Sequence, residues 1–513
     1  MPVKPCRAAG GAWGPPNLAV ACLVVMLFAA VSIGAQEPAF REVIERARTL
    51  ARAPHVVPDR SLPPALTTLS YDRYRDIRFR TDRAIWRAEG LPFQLQLFHR
   101  GYLFKERVGI NLLSPGRSRA LSWDPALFDY GGNKIATRIH DDIGFAGFRI
   151  HHAINRDDYL DEILVFLGAS YFRALGRGQK YGLSMRGVSV DTGLSGLEEF
   201  PVFREFWIVR PTKTAQFIDV YALLDGPSIS GAYAFRIHPG ESTVVAVRAA
   251  LFFRNRVRRL GIAPLTSMFL HGELGGPRSL DHRPEVHDSD GLLVDSDDGR
   301  RIWRQLANPN HPRVSEIRTE SGLAGFGLMQ RDRHFDHYQD LEADYHLRPS
   351  AWVEPDEPWH EGAVLLLELP AESEGLDNVV AFWSPDETPS AGSALELRYR
   401  VHLLDEAPGL SAKGRVTDTR IGPVPGRGST ARRFLVDFQV PSAGERFPQA
   451  VVVATRGEPE NVVVQRNPHN GGWRVIFDMD SDSARDIELS CVLLLDGSPL
   501  TETWQYRWTR ESR

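Results

Sequence analysis

The feature that most limits what this chain can fold into is its punctuation. From about residue 60 onward, short apolar or alternating runs are broken roughly every ten residues by Gly, Pro, Asn or Asp. Phe93–Phe98, Arg107–Leu113, Glu162–Phe166, Phe217–Leu224, Ser242–Phe253, Val364–Leu369, Asn378–Trp383 and Leu395–Leu403 are such runs, and each reads as a strand. Nowhere do strands alternate regularly with amphipathic helices, which excludes a parallel α/β sheet. The pattern predicts an all-β protein with a large antiparallel domain over about residues 60–402. Helix is expected only near the start. Phe40, Val43, Ile44, Ala47 and Leu50 share one face of a helix ended by Pro54, and a second short helical segment is predicted over Pro64 to Asp76.

A compositional break follows. Asp405–Gly428 is rich in Gly, Pro, Ala, Lys and Arg and reads as linker and loop. Beyond it come strands at Arg433–Val440, Gln449–Ala454, Val462–Gln465, Trp473–Asp478, Asp486–Leu495 and Thr503–Trp508, the density expected of a small immunoglobulin-like sandwich. The chain therefore divides into residues 1–35, a large β domain over 36–402, a linker and loop over 403–430, and a small β-sandwich over 431–513.

Residues 1–35 read as a signal peptide of the general secretory type. Lys4 and Arg7 form a charged start, the apolar run Leu18–Val31 follows, and Gly34 and Ala35 suit cleavage before Gln36. The run is short for a membrane span, and no other stretch approaches that length. Cleavage takes Cys6 and Cys22 and leaves Cys491 alone in an apolar strand, so an internal disulfide is excluded. It also moves the net charge from −4 to about −6, because no acid is lost. That balance argues against nucleic acid, which needs a clustered basic excess. An exported chain without disulfides must rely on a large core, and its length can supply one.

No nucleophile elbow, zinc-protease motif, phosphate loop or dinucleotide fingerprint is present, and no cofactor is expected. Carboxylate-rich stretches remain. The densest, Gly325–Tyr345, holds Asp332, Asp336, Asp340, Glu342 and Asp344 with Arg331, Arg333, His334 and His337, and interleaves Phe335, Tyr338 and Tyr345. It runs on through Arg348 to Trp352 and Glu354. Sugar sites combine such groups because carboxylates and Arg forks bond hydroxyl pairs while aromatic faces stack on pyranose rings. A solvated charged loop fits the composition equally well. A metal held by His334, His337 and the aspartates is a third reading, without a tight ligand signature. His287-Asp288-Ser289-Asp290 fits either an Asx turn or a site for a general base, and Asp377-Asn378 opens a strand, where a turn role is usual. Two carboxylates across a sugar-lined cleft would suffice for glycoside hydrolysis.

The chain resembles the periplasmic glucan biosynthesis proteins G and D. The matching words include Phe145-Ala-Gly-Phe-Arg-Ile, Phe166-Leu-Gly-Ala-Ser-Tyr-Phe-Arg-Ala, Tyr181-Gly-Leu-Ser, Glu199-Phe-Pro-Val-Phe-Arg-Glu-Phe-Trp, Leu260-Gly-Ile-Ala-Pro-Leu-Thr-Ser-Met-Phe, His287-Asp-Ser-Asp, Gly325-Phe-Gly-Leu-Met-Gln, His337-Tyr-Gln-Asp, Arg348-Pro-Ser and Leu376-Asp-Asn. The match covers nearly the whole mature chain, is dense between Phe145 and Trp383 and is weaker after Leu404. The resemblance implies a large β-sandwich with a long cleft, then an immunoglobulin-like domain, in a periplasmic protein that handles osmoregulated glucans with a β-1,2-linked backbone. Some members look like inverting endo-β-1,2-glucanases, others like transglycosylases.

Carried over by position, Asp377 matches the family's general acid and Asp288 its general base, acting through a relay of water and substrate hydroxyls. Asp332, Arg333, His337, Tyr338, Asp340, Tyr345 and Trp352 fall on motif positions of the cleft and are expected to bind substrate. The resemblance thus implies a β-1,2-glucan partner. A transglycosylase that branches, cyclises or relinks the glucan, or a non-catalytic glucan-binding scaffold, are the alternatives. Two departures bear on the mechanism. Gly375 stands where some members carry a hydroxyl residue, and Leu404 to Thr430 lacks the aromatic lid of some members.

Overall fold

The computed structural model describes residues 38–135, 141–274, 280–407, 413–427, 430–440, 446–480 and 486–509. The expected signal peptide lies outside them. No helix among the described residues is long and apolar enough to cross a membrane.

The fold is all-β. One ten-stranded sheet runs from Phe93–His99 through Phe145–Arg156, Tyr159–Leu167, Tyr171–Ala174, Ser184–Arg186, Leu260–Ser267, Val379–Pro385 and Gly362–Glu368 to Arg313–Arg318, with Val188–Val190 paired beside Leu260–Ser267. Facing it is a fifteen-stranded sheet whose central strands are Gly291–Ser296, Leu323–Met329, Ser350–Pro355, Ala394–Leu404, Thr243–Phe253, Ile229–His238 and Ile218–Asp225. The core between them is phenylalanine-rich. Phe148 and Phe166 of the first sheet meet Phe206 of the second with centroids 5.0 Å apart in each pair, and Phe172 meets Phe235 at 5.3 Å. Burying each ring contributes about 2–3 kcal/mol, so the sandwich stands without disulfides.

The predicted N-terminal helix spans residues 38–51. Its buried Phe40, Val43 and Ala47 lie on Trp207, Tyr221, Ala232, Ala250 and Phe252, on the outer face of the second sheet. That cover explains why Ile218–Asp225 is buried along its whole length rather than on alternate residues. The second helical segment is two short helices, Pro64–Thr67 and Tyr71–Arg75.

At the C-terminal end Arg415–Pro423, Ala431–Gln439, Gly472–Asp480 and Glu460–Asn467 form a four-stranded sheet. The first of these strands falls inside the stretch expected as linker and loop. Its flanking Gly and Pro residues conceal a run that pairs in register with Ala431–Gln439 and buries Val416 and Thr419. The facing strands Gln449–Ala454, Ile487–Leu495 and Thr503–Trp508 complete a small sandwich. They are continuous with the fifteen-stranded sheet, because Thr503–Trp508 pairs in parallel with Arg301–Gln305 (Ile302↔Thr503, Trp303↔Trp504). Its core includes Phe434, Phe477, Trp473 and Trp504, and extends to Leu293, Trp303, Met329 and Trp352. Cys491, the only cysteine among the described residues, is fully buried there, and desolvation pushes its thiol pKa up.

Candidate active site

The site is assembled where strand ends of the first sheet meet the loops after Met329 and before Val379. Asn378 is fully buried. Its Oδ1 accepts from Phe269 N at 2.8 Å, and its Nδ2 donates to Phe269 O at 3.0 Å and Leu369 O at 2.9 Å. The neighbouring Asp377 thereby leaves the strand at a fixed point. Its side chain stays 39% exposed, yet surrounding protein raises its pKa by desolvation, against the opposing charges of Arg173, Arg186 and Arg348. Arg173 Nη2 stands 3.9 Å from Asp377 Oδ2.

Asp288 has the opposite exposure, with its side chain only 5% open. Val286–His287 pairs with Phe269–His271, matching His287 to Phe269, and Asp288 N donates to Met268 O at 2.8 Å. Arg348 Nη1 ion-pairs with Asp288 Oδ1, while the guanidinium lies 4.1 Å from the Tyr345 ring centroid. Desolvation raises the Asp288 pKa, Arg348 holds it down, and the charge of Asp377 pushes it up again. The two carboxylates therefore feel each other, and Arg348 and Arg173 bear on both.

Beneath Asp288, His287 is fully buried between Glu285 Oε2 (2.8 Å from Nε2) and Gln330 Oε1 (2.9 Å from Nδ1). Gln330 Nε2 donates to His287 O and Tyr345 O, which turns its carbonyl oxygen toward the imidazole. Both ring nitrogens thus face acceptors, an arrangement that favours the imidazolium form. Burial opposes the charge, but the Glu285 pair outweighs it and raises the pKa.

The other expected residues divide into two groups. Asp332 pairs through Oδ2 with His337 Nδ1, and its main-chain N donates to the buried Asp290 at 2.9 Å. Burial lowers the His337 pKa, but Asp332 more than offsets that and raises it. Asp340 accepts from Glu342 N, Ala343 N and Arg283 Nη1, so it closes its own loop. Arg283 also grips Asp281 and, at 2.5 Å, Glu374 of the loop carrying Asp377, and Tyr345 donates to the same Glu374 oxygen at 3.2 Å. Tyr338, with no exposed surface, donates to Asp332 O and packs edge-on against His287.

Arg333 and Trp352 are differently placed. Arg333 donates to the carbonyls of His346 and Arg348 and ion-pairs with Asp405 at 3.6 Å, bracing the loop. Trp352 is 4% exposed and belongs to the core shared with the C-terminal sandwich. A Cβ at Gly325 would stand 2.3 Å from its indole, which explains the glycine in the Gly325-Phe-Gly word. A cation could be offered Glu285, Asp332 and His337, whose ligand atoms lie within 4.8 Å of one another. Glu285 replaces the expected His334 in that set, and its carboxylate and that of Asp332 are already paired with imidazoles. Arg173, Arg283, Arg348, Glu374 and Glu285 were not among the predicted site residues. Arg173 and Arg348 do stand inside two of the matching words, Tyr171-Phe-Arg-Ala and Arg348-Pro-Ser.

Residues 39–508 match the family described as "Periplasmic glucan biosynthesis protein, MdoG". The chain belongs to the MdoG family. Relatives named "Glucans biosynthesis protein G" include one from Vibrio cholerae serotype O1, 46% identical over 473 residues, covering 91% of this chain and 86% of the relative. Another, from Shewanella frigidimarina, is 46% identical over 470 residues, covering 91% and 84%. One from Rhodopseudomonas palustris is 45% identical over 470 residues, covering 90% and 92%. The MdoG match takes in every residue of the site above and the C-terminal sandwich joined to it.

Proposed function

We propose that this MdoG-family protein works in the periplasm on the β-1,2-linked backbone of osmoregulated glucans, as an inverting endo-β-1,2-glucanase. Asp377 is the general acid and Asp288 the general base. The observation that carries this reading is the pairing of two carboxylates with unlike surroundings. Asp377 is open to a substrate, and desolvation favours its protonated form, so it can deliver a proton to the leaving glycosidic oxygen. Asp288 is buried, which raises its pKa, and the Arg348 ion pair is the contact that opposes burial and favours its ionised form. A base so enclosed takes its proton through water and substrate hydroxyls, which deliver the attacking water to the far face of the sugar. Asp332 and His337 line the substrate side and Asp340 braces it, while Tyr338, Tyr345, Arg333 and Trp352 hold that wall from behind, the three rings being buried.

Export by the 1–35 signal peptide fits the family's description as periplasmic. The test is to incubate mature protein with linear β-1,2-glucan and follow chain length and product anomer by NMR. Shorter chains with inverted anomers are expected, and Asp377→Asn should abolish turnover while leaving binding. Larger or cyclic products would make the protein a transglycosylase, and binding without turnover a scaffold.

A further inference from the structure

The word Glu199-Phe200-Pro201 has no part in the chemistry above, yet it stands beside the proposed acid. Phe200 is 49% exposed, and the guanidinium of Arg186 lies 5.3 Å from its ring centroid. Arg186 itself is only 6% exposed and is fixed on several sides. Its Nη1 donates to Glu198 at 2.7 Å, its Nε donates to Thr266 Oγ1 at 3.1 Å, and it lies 4.6 Å from the Tyr171 ring. Glu198 is held in turn by Thr192 Oγ1 at 2.7 Å. The main chain under Phe200 is anchored too. Glu199 N donates to Val190 O at 3.1 Å, the Glu199 carboxylate accepts from Ser228 N at 2.9 Å, and Pro201 follows. An isolated exposed Phe needs no explanation, but a ring seated on a buried, multiply tethered cation is preorganised.

The platform adjoins the reacting groups. Tyr171, the second ring on the same guanidinium, pairs in register with Arg186, and Arg173, two residues further along the same strand face, has its Nη2 3.9 Å from Asp377 Oδ2. A β-linked glucosyl unit presents axial C–H bonds on both faces, the surface that an aromatic face receives. We propose that Phe200 is a pyranose-stacking platform on the Asp377 side of the site, binding a glucosyl unit of the glucan next to the cleaved linkage and setting the shortest chain the protein accepts. This rests on the glucan reading above and adds a residue to it.

The test compares Phe200→Ala, Phe200→Leu and Phe200→Trp in the mature protein, on linear β-1,2-gluco-oligosaccharides of graded length. Loss of one stacking contact should raise KM about five- to tenfold in Phe200→Ala, most for the shortest chains, with kcat changed less than about twofold. Phe200→Trp should restore KM and Phe200→Leu, which keeps the apolar bulk, should not. Wild-type KM in Phe200→Ala, or equal rescue by Leu and Trp, overturns the platform while leaving the glucan reading intact. A wild-type protein that neither cleaves nor binds these oligosaccharides overturns both.

Discussion

Asn378 holds both main-chain polar groups of Phe269, accepting from its N at 2.8 Å and donating to its O at 3.0 Å. Phe269 also pairs in register with His287 and stacks on its imidazole at 5.3 Å. Asp377 and Asp288 each lie one residue from these contacts, so one residue sets the spacing of both carboxylates. Asn378→Ala strands two buried groups of Phe269 and a half-buried carbonyl of Leu369, and should cost about 3 kcal/mol in urea unfolding. Turnover should fall further than stability explains, because Asp377 loses its anchor. A variant with full activity would separate Asn378 from the site.

The two arginines should shift different limbs of the pH–rate profile. Burial raises both carboxyl pKa values; against it Arg348 is the main cation favouring ionised Asp288 and a lesser one on Asp377, whereas Arg173 is the main cation at Asp377 and a minor one at Asp288. Removing a neighbouring cation raises a carboxyl pKa. Arg348→Met should therefore move the acid limb, which reports the base, to higher pH and narrow the bell. Arg173→Met should move mainly the alkaline limb upward. Identical shifts in both variants would contradict the assignment of acid and base.

Much of the fold is readable from local pattern, and much of the site is not. The C-terminal strands announce themselves by alternation, but the parallel join of Ile302 to Thr503 couples residues 201 positions apart and leaves no local trace. Trp352, Tyr338 and Tyr345 look like stacking residues because carboxylates surround them in sequence. Which side of a strand or loop faces inward is decided by partners such as Gly325, His287 and Arg348, and all three rings are buried. Asp288 and Asp377 were singled out by family resemblance, since spacing alone says nothing about facing pairs. Glu374 and Arg283, which tie the Asp377 loop down, stand in the same carboxylate-rich stretches as Asp377 and Asp288, but nothing local says that these two stretches meet.

His287 makes stability depend on pH. Its folded pKa is raised by Glu285 above the ordinary value of about 6.5, so its contribution is complete below that value and disappears as pH rises through the folded pKa. Wild-type unfolding free energy should fall across that window. His287→Gln should be less stable at acidic pH and show a flatter dependence, measured by urea unfolding at a series of pH values. Parallel curves for the two proteins would refute an imidazolium at this position.

The root of the Asp332 loop is bolted to the C-terminal sandwich. Arg331 pairs with the fully buried Glu502 at 2.5 Å, and its guanidinium lies 3.7 Å from the Trp303 centroid. Glu502 also accepts from Val416 N at 2.7 Å. Glu502→Ala leaves a buried cation without its partner, which should cost about 3–5 kcal/mol. Because Asp332 follows directly, KM for glucan should rise as well. Loss of stability with KM unchanged would show that the sandwich supports the fold without steadying the substrate side.

Gly375 offers a test of the proton path. It is exposed, its φ lies outside the left-handed region, and a Cβ there would meet nothing nearer than Ser373 Oγ at 3.9 Å. Nothing in its surroundings requires a glycine. Gly375→Ser should thus leave unfolding free energy within about 0.5 kcal/mol of wild type. If a hydroxyl two residues before the proposed acid can carry the proton, the variant should turn over β-1,2-glucan faster and Gly375→Ala should not. Equal rates in all three proteins would mean that water and substrate hydroxyls alone connect Asp288 to the attacking water, which its burial behind Arg348 already requires in part.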